Sequence, residues 1–404
     1  MPWKEKDVML KKLDFIKDYE ADLYSIAELS RRHSISRTTA YKYIKRYEKY
    51  GNAGLEELSR APKHVHNTTS EEIIQEIVET KLVFPLWGSK KIIAKLSRDN
   101  PDKDYPCSST AQHWLDVYGM VKKRKKRYKV PPYTKPFAKS VSSNKSWSMD
   151  YKGQFKLGNG QYCYPLTLVD NYSRFLFLCV GLPSTNYADA RKWLEWAFRE
   201  YGLPDTIRSD NGSPFAAAGP TGLTKLAAWF IQLGITHERI DLGHPEQNGR
   251  LERLHRTLKD HIKGSVKATM SDMQTSLNKF RDEYNRVRPH ESLGFNTPSE
   301  THKNSLRKYP VRISPPEYDL DLLVRKVQRY GHISHDWKEY MISRSLQGEY
   351  VGLKLMEGGK AKVFYYKQCI ATIDLKKGSI HGKERRVQYQ ESIMDRNVSR
   401  PRHG

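Results

Sequence analysis

Three acidic residues stand in sequence contexts that could bring them to one site. Asp150 lies in an apolar, strand-like stretch, Asp210 closes another such stretch, and Glu252 lies in a long stretch with helical periodicity. Three carboxylates at one point repel each other unless a cation lies between them, and Mg²⁺ or Mn²⁺ takes carboxylate and phosphate oxygens together. Two such ions, about 3.5–4 Å apart, can activate an attacking oxygen and stabilise a leaving one. We therefore predict that Asp150, Asp210 and Glu252 are catalytic residues that bind two Mg²⁺ or Mn²⁺ ions.

Each acid also has a simpler interpretation. An isolated Asp at the end of a strand is more often a cap, and an isolated Glu on a basic helix is more often an i,i+4 salt-bridge partner. Glu246, at the predicted start of the helix, is a minor alternative to Glu252 because a carboxylate is favoured there by the helix dipole. Asp170, followed by Asn-Tyr-Ser, and Asp205, after a proline, are predicted to be turn residues.

The helix that carries Glu252 has two stripes. Its apolar residues recur at spacings of 3, 4 and 4, which predicts one buried face. The neighbouring stripe presents Glu252 beside that face, together with amide and cationic side chains. The apolar stripe consists of Leu251, Leu254, Leu258 and Ile262, and the polar stripe of Asn248, Glu252, Arg256, Lys259 and Lys263. An acid followed by cations along one face suits a site for metal and the phosphates of DNA.

The elements around these acids predict an α/β domain. Three short apolar strands joined by short connections come first, and helices and strands then alternate. This order is that of a ribonuclease-H-like fold, in which the first and fourth strands lie side by side. The predicted strands are 147–152, 162–170, 175–180, 206–209 and 235–240, and the predicted helices lie near 190–198, at 223–233 and at 245–263.

The N-terminal sixty residues predict a helix-turn-helix. Ser36 is a natural N-cap for its second helix, which would offer its exposed side to the major groove of DNA. An ordinary αα-hairpin is the alternative. The candidate DNA contacts are Arg37, Thr38, Thr39, Lys42 and Arg46.

A second helical segment and a basic stretch follow. Residues 70–78, 88–96 and 109–118 predict three helices, which form either another helix-turn-helix or a plain helical spacer. The next stretch contains prolines and is predicted to be a linker, either solvated or in contact with phosphates. Its candidate DNA contacts are Lys122, Lys123, Arg124, Lys125, Lys126 and Arg127.

Near the C-terminus, three alternating segments predict a small β-barrel of the SH3-like kind. Strands are expected at 350–355, 362–366 and 369–374, with a turn at Gly358-Gly359. The fold class is thus multidomain, with α-helical, α/β and all-β parts. The predicted domains are a helix-turn-helix domain (1–62), a second helix-turn-helix-like domain (63–121), a basic linker (122–143), a ribonuclease-H-like catalytic domain (144–305), a small β-barrel (306–384) and a polar tail (385–404).

Composition points to an acidic polymer as partner. The chain has 404 residues, with 70 Lys and Arg against 46 Asp and Glu, and a net charge of +24. Such a surplus favours binding to nucleic acid through phosphate neutralisation. The four cysteines form no C-x-x-C pair, so neither a zinc finger nor a disulfide framework is expected. No apolar run is long enough to span a membrane and no signal peptide is apparent, so we expect a cytoplasmic, nucleoid-associated protein of a prokaryote.

Taken in order, these motifs resemble those of insertion-sequence transposases of the DDE superfamily, which have a retroviral-integrase-like core. Each motif alone is weak, but the ordered set is specific. It comprises the helix-turn-helix followed by Arg60-Ala-Pro62, the Trp-Ser-Met-Asp strand ending at Asp150, Val169-Asp-Asn-Tyr-Ser-Arg174, Ser209-Asp-Asn-Gly212, His244-Pro-Glu-Gln-Asn-Gly-Arg-Leu-Glu252, Tyr284-Asn-Arg-Val-Arg-Pro-His-Glu-Ser-Leu-Gly294 and Thr297-Pro298.

The resemblance implies that Asp150, Asp210 and Glu252 are the metal-binding triad, and that Asn248, Arg256 and Lys259 lie near bound DNA. It implies cleavage at transposon ends and strand transfer into target DNA, by a protein at least dimeric when it holds two ends. The chain departs from retroviral integrases in lacking an N-terminal His/Cys zinc module. A longer loop, at 216–222, also separates Asp210 from Glu252.

Two other function classes remain. A transposase-derived regulator would bind specific DNA without catalysis, but it would need none of the three acids. A ribonuclease-H-like nuclease would cut without joining, but it would not need DNA-reading units or a C-terminal barrel.

Overall fold

The computed structural model describes residues 8–57, 68–121, 137, 140–215, 217, 219–241, 245–264 and 266–382. The chain divides into two compact units, one up to Thr69 and one from Ser70 onward. The basic stretch from Lys122 to Arg127 and the predicted tail lie outside the described residues. In the part that is described, no helix is long and apolar enough to cross a membrane.

The first unit confirms the predicted helix-turn-helix region. Its helices are α1 (Val8–Glu20), α2 (Ile26–Arg32) and α3 (Arg37–Tyr50), followed by a 3-10 turn (Gly51–Leu55). Ser36 caps α3 as predicted, since its Oγ accepts a hydrogen bond from the Thr39 N–H at 3.1 Å. The three helices share one small core, formed by Phe15, Ile16, Leu29, Ala40, Tyr43, Ile44 and Leu55.

The second unit begins with three more helices. These are α4 (Glu71–Val83), α5 (Ser89–Asp99) and α6 (Ser108–Val117). They bury one side of each helix around Trp87, which lies against Ile77, Ile92 and Leu115. Val287 from the core domain packs against the same cluster, so this helical segment is joined to the α/β domain by apolar contact.

The α/β domain is built on one mixed sheet. Its elements are β1 (Ser146–Tyr151), β2 (Phe155–Lys156), β3 (Tyr162–Asp170), β4 (Leu176–Leu182), α7 (Tyr187–Tyr201), β5 (Thr206–Ser209), α8 (Lys225–Gln232), β6 (Thr236–Arg239), α9 (Gly249–Lys263), α10 (Met270–Asp282) and α11 (Pro298–Thr301). The strand order is β2-β3-β1-β5-β6, with β4 also paired to β3. The first and fourth predicted strands are β1 and β5, and they lie side by side in parallel, as expected.

Helices cover both faces of this sheet. On one face, α7 and α8 bury Leu194, Phe198, Trp229 and Phe230 against the strands. On the other face, α9 and α10 pack against β3 and β4. The predicted apolar stripe of α9 is the buried one, since Leu251, Leu254, Leu258 and Ile262 are each at most 7% exposed.

The C-terminal part is all-β but does not confirm a closed barrel. Its strands are β7 (Leu323–Lys326), β8 (His332–His335), β9 (Lys338–Met341), β10 (Tyr350–Met356), β11 (Lys360–Tyr365), β12 (Gln368–Asp374) and β13 (Ser379–Gly382). Five of them form an antiparallel sheet in the order β13-β12-β11-β10-β7, and β8 with β9 forms a separate hairpin. Among the strands that the structure describes, no pairing closes this sheet. The hairpin covers the sheet instead, and both share one apolar core.

Candidate active site

Asp150 lies near the end of β1, on a strand held rigidly between two neighbours. β3 pairs with β1 on one side and β5 on the other. Its side chain is 26% exposed and accepts a hydrogen bond from the Tyr151 backbone N–H. Its main-chain carbonyl accepts a hydrogen bond from the Thr167 hydroxyl at 3.0 Å. The carboxylate is thus half-buried at a fixed position of the sheet.

Asp210 follows the last residue of β5. Its Oδ1 accepts a hydrogen bond from the Gly212 N–H at 3.1 Å, which turns the chain sharply away from the strand. A Cβ at position 212 would lie only 2.9 Å from Asp210 Oδ2, so glycine allows this close approach. Because β1 and β5 are parallel neighbours, Asp150 and Asp210 both lie at the carboxyl ends of their strands.

Glu252 lies in the first turn of α9, beside the buried leucine stripe as predicted. It is exposed, as are Arg256, Lys259 and Lys263 of the same stripe. Asn248 differs from them, since it is only 6% exposed at the N-cap of α9. The polar stripe therefore faces solvent from Glu252 onward.

The three acids are close enough to influence each other. Burial raises the pKa of Asp150 to about 7, and the negative charges of Asp210 and Glu252 add to this effect. Burial also raises the pKa of Asp210. Repulsion among carboxylates is what a bound cation would relieve. The charges of the other two predicted residues thus act on Asp150, and the assignment of the three acids as a triad stays a prediction.

The donor set fits a hard divalent cation, although it is not closed around one. Carboxylate oxygens from two strand ends and a helix are the ligands that Mg²⁺ takes, with water and phosphate completing its shell. Within the described ranges, no group of three His, Cys, Asp or Glu side chains stands close enough to hold a metal ion.

The competing acids have structural roles. Asp170 is fully buried, and its Oδ2 accepts hydrogen bonds from the Ser173 N–H at 2.9 Å and the Ser173 hydroxyl at 2.6 Å. Asp205 pairs with Lys145 at 2.9 Å and with Arg307 at 3.2 Å. Asp170 is the last residue of β3 and its carboxylate holds the turn that follows, whereas Asp205 lies in the bend before β5. The side chain of Glu246 lies outside the described atoms.

Sequence reasoning missed a histidine next to Asp150. His255 lies three residues after Glu252 on α9, and its Nδ1 is 3.8 Å from Asp150 Oδ2. Its Nε2 is 2.8 Å from the Thr167 hydroxyl. Since that hydroxyl already donates to the Asp150 carbonyl, the imidazole donates its Nε2–H. His255 thus ties α9 to β1 and β3; its i,i+3 spacing from Glu252 was the available signal.

A second buried histidine supports the end of β5. His237 of β6 makes a 2.8 Å contact between its Nε2 and the hydroxyl of Ser209, the residue before Asp210. Burial lowers the pKa of His237 to about 3, so its ring is neutral at pH 7. This contact joins β5 to β6 at the point where Asp210 leaves the sheet.

The predicted DNA contacts on α3 differ in their surroundings. Arg37, Thr38 and Lys42 are exposed. The Thr39 hydroxyl is hydrogen-bonded to the Ser36 hydroxyl at 2.8 Å, within the helix cap. Arg46 donates to the Glu56 carbonyl and thereby holds the 3-10 turn. On α9, Lys259 lies near Lys152, whose pKa is lowered first by burial and then by the Lys259 charge.

Models of known protein families match three parts of the chain. Two models of the integrase core domain match residues 141–245 and 233–298. A helix-turn-helix domain model matches residues 11–63, and the C-terminal domain of IS481 family transposases matches residues 322–381. In these three parts, the chain resembles insertion-sequence transposases with an integrase-like core. Asp150 and Asp210 fall within the first core match and Glu252 within the second.

Individual proteins also match parts of the chain. The chain is 27% identical over 181 residues to an uncharacterized protein of insertion element IS407 from Burkholderia multivorans. It is 29% identical over 184 residues to an uncharacterized protein of insertion element IS476 from Xanthomonas euvesicatoria. Each match covers 45% of this chain, and 63% and 51% of the two relatives respectively. Among solved structures, the HTLV-2 integrase catalytic core in complex with magnesium is matched at 16% identity, over 40% of this chain and 99% of that one, with a TM-score of 0.32.

Proposed function

We propose that this transposase binds the terminal inverted repeats of its element and catalyses metal-dependent DNA cleavage and strand transfer into target DNA. The observation that carries the proposal is that Asp150 and Asp210 lie at the carboxyl ends of the parallel neighbours β1 and β5, and that the charges of Asp210 and of Glu252 on α9 both act on Asp150. These three elements lie in the segments that match the integrase core. A regulator that only binds DNA has no need of converging carboxylates.

The proposed reaction consists of two displacements at phosphorus. Water attacks a phosphodiester at the transposon end, the bond between phosphorus and the 3′-oxygen breaks, and a 3′-hydroxyl and a 5′-phosphate result. That 3′-hydroxyl then attacks a phosphodiester of the target strand and loses its proton to solvent. A new phosphodiester forms, and the target strand leaves with its own 3′-hydroxyl. Two Mg²⁺ or Mn²⁺ ions, when bound, would stabilise the charge on the attacking and leaving oxygens.

The residues of this chain would divide the work. Asp150 and Asp210 would hold the metal from fixed strand ends, and Glu252 would complete the set from α9. His255, which is hydrogen-bonded to Thr167 of β3 and lies near Asp150 of β1, would hold α9 against these two strands. Arg256 and Lys259, exposed farther along α9, would contact the DNA backbone.

The helix-turn-helix unit would read the terminal repeat. Arg37, Thr38 and Lys42 are exposed on α3 and can reach base edges or phosphates. The basic linker from Lys122 to Arg127 would add phosphate contacts. Because two ends are joined together, we expect at least a dimer on DNA, in the cytoplasm of a prokaryote.

A strand-transfer assay tests the proposal. The full chain is mixed with Mg²⁺ or Mn²⁺, a labelled duplex carrying the element's terminal repeat, and a supercoiled target plasmid. We expect joining by the wild type and a loss of at least about a hundredfold in Asp210→Asn and in Glu252→Gln, because each removes a charged metal ligand. Asp260→Asn is the matched control. It removes one negative charge from the exposed side of the same helix, and it should join at close to the wild-type rate.

Two outcomes would overturn this assignment. Joining that survives in both triad variants would place the chemistry elsewhere. Tight binding of the repeat with no cleavage or joining in either metal would identify a regulator instead.

A further inference from the structure

In the segment that follows α10, four cations act on two neighbouring rings. Tyr284 and His290 lie with their ring centroids 4.8 Å apart, in an edge-to-face arrangement. Both belong to the Tyr284-to-Gly294 motif, for which the proposed function has no role. The cations come from four separate segments of the chain. We call Lys91, Arg174, Arg253 and Arg288 the cation cluster.

Helix α5 brings Lys91 to this place because it is docked along the motif. Lys90 Nζ is 2.7 Å from Glu291 Oε1. One helical turn or more farther on, Arg98 donates a hydrogen bond to the Val287 carbonyl at 3.3 Å. These two contacts lie on either side of Lys91 and fix the position of its backbone.

The charges of the cluster act on common neighbours. Burial lowers the pKa of His290 to about 3, and the positive charges of Lys91, Arg288 and Arg174 contribute. Burial raises the pKa of Tyr284 to about 12, against the opposing effect of Arg288, Arg174 and Arg253. Each ring thus lies within electrostatic reach of three of the four cations.

The cations also repel one another. Burial lowers the pKa of Lys91 to about 7, and the charges of Arg288 and Arg253 lower it further, against a smaller opposing effect of Glu291. Burial lowers the pKa of Arg174 to about 10, with Arg250 as the next cause. A half-buried lysine that carries its charge among arginines needs a negative partner.

The described residues do not supply that partner in full. Lys91, Arg253 and Arg288 form no ion pair within the described ranges. Glu291 is bonded to Lys90, and Asp170 is bonded to Ser173. Glu283 acts on Arg288. Three acids, two of them bonded elsewhere, thus stand against four cations.

A ring atom among the neighbours of these cations lacks a hydrogen-bond partner. The Nε2 atom of His290 is buried and has no hydrogen-bond partner among the residues that the structure describes. A bound anion would favour the protonated ring, and the Nε2–H would then donate to it. Tetrahedral oxyanions match this combination of arginine, lysine and imidazole donors.

We propose that the cation cluster binds a phosphate group of the DNA backbone, beside the acids at the start of α9. This inference rests on the proposed function, because it takes DNA as the source of the phosphate. Arg253 directly follows Glu252 on α9, so the acids and the cluster share the first turns of this helix. A free phosphate or nucleotide offers the same chemistry, and the experiment separates the two sources.

The test compares Lys91→Met with Lys90→Met in the full chain. The two variants lose the same charge from adjacent positions of one helix, but Lys90 is exposed and paired with Glu291. Binding of a labelled duplex of mixed sequence is measured by fluorescence anisotropy at several salt concentrations. Thermal unfolding is followed alone, with inorganic phosphate, with a nucleoside triphosphate, and with the duplex. Arg253→Gln, at an exposed position, serves as a second variant that does not depend on the buried lysine.

We expect Lys91→Met to bind the duplex roughly tenfold more weakly near 0.1 M salt, and the slope of log K against log salt to fall by about 0.9, as for one lost phosphate contact. Its melting temperature without ligand should rise, because an unmatched charge is removed. Arg253→Gln should weaken duplex binding in the same direction. Lys90→Met should change the slope by less than half as much.

Other results would decide against this inference. If the wild type binds the duplex and both Lys91→Met and Arg253→Gln bind it with unchanged slope, the cluster is not a DNA site, while strand transfer can still stand. If free phosphate or nucleotide stabilises the wild type but not Lys91→Met, and duplex binding is equal in both, the anion is a free one. If the wild type binds no duplex at all, the proposed function fails together with this inference.

Discussion

Two groups of like charges lie at the start of α9, one acidic and one basic. The acidic group consists of Asp150, Asp210 and Glu252, and the basic group is the cation cluster. Within each group, the like charges repel one another. The acids come from two strand ends of one sheet and from the helix packed on it. The cations come from four segments, one of which is α5, outside the α/β domain. The acidic group thus depends on the core alone, whereas the basic group also needs the helical segment that begins at Ser70.

This difference assigns separate tasks to neighbouring surfaces. The acidic group suits a divalent cation and the basic group suits a phosphate, so one DNA strand could be held by both. It also gives the second helical segment a role in the core, besides any contact of its own with DNA. The predictions below remove the supports of each group in turn.

The largest effect should come from Asn285, which anchors the motif of the cation cluster. Its amide donates to the Leu176 carbonyl at 2.9 Å and its Oδ1 accepts from the Leu176 N–H at 2.8 Å, along β4. Asn285→Ala leaves both buried backbone groups without partners, and we expect a loss of about 2–4 kcal/mol in the free energy of unfolding. Urea unfolding followed by tryptophan fluorescence measures it. Asn278→Ala, at an exposed position of α10, is the control and should change stability by no more than about 0.5 kcal/mol; equal losses would show that Asn285 is not an anchor.

A smaller effect should come from His255, the support of the acidic group. His255→Ala removes the contact that joins α9 to Thr167 and Asp150. We expect strand transfer to fall by roughly tenfold, through misplacement of Glu252 rather than loss of a ligand. His255→Gln keeps an N–H donor for Thr167 and should recover part of the rate. If His255→Gln is as slow as His255→Ala while both melt like the wild type, hydrogen bonding to Thr167 is not what matters.

Much of the core could be predicted because its strands are apolar and continuous. The predicted strands at 162–170 and 206–209 have the observed bounds, and the others differ by two residues or fewer at each end. The parallel pairing of β1 with β5, which places Asp150 beside Asp210, followed from the order of elements. A buried strand can be predicted in this way because it is a short, continuous run of apolar residues.

The missed strands are short or polar. β2 has only two residues, and the β8–β9 hairpin is rich in charged and polar side chains. Its turn, at Asp336-Trp337, has positive φ angles of 48° and 60° without the glycine that usually signals such a turn. The predicted barrel was not confirmed, because β8 and β9 pair with each other and not with the five-stranded sheet. The sequence of these short segments did not indicate that pairing.

The two charged groups differ most in what the sequence could reveal. Each acid stands in a recognisable local motif, so the candidate site could be named before its geometry was known. Lys91 and Arg288 stand far apart in the chain, and nothing in their neighbours predicts that α5 docks along 287–291. A site assembled by packing between segments becomes visible only in the folded chain.

The most direct test of this account compares the two groups in one experiment. Thermal unfolding of the wild type, Asp210→Asn and Lys91→Met is followed with Mg²⁺ alone and with a duplex of mixed sequence alone. We expect Mg²⁺ to raise the melting temperature of the wild type and Lys91→Met but not of Asp210→Asn, and the duplex to stabilise the wild type and Asp210→Asn more than Lys91→Met. Mg²⁺ that stabilises Asp210→Asn as much as the wild type would contradict the assignment of the acids to the metal.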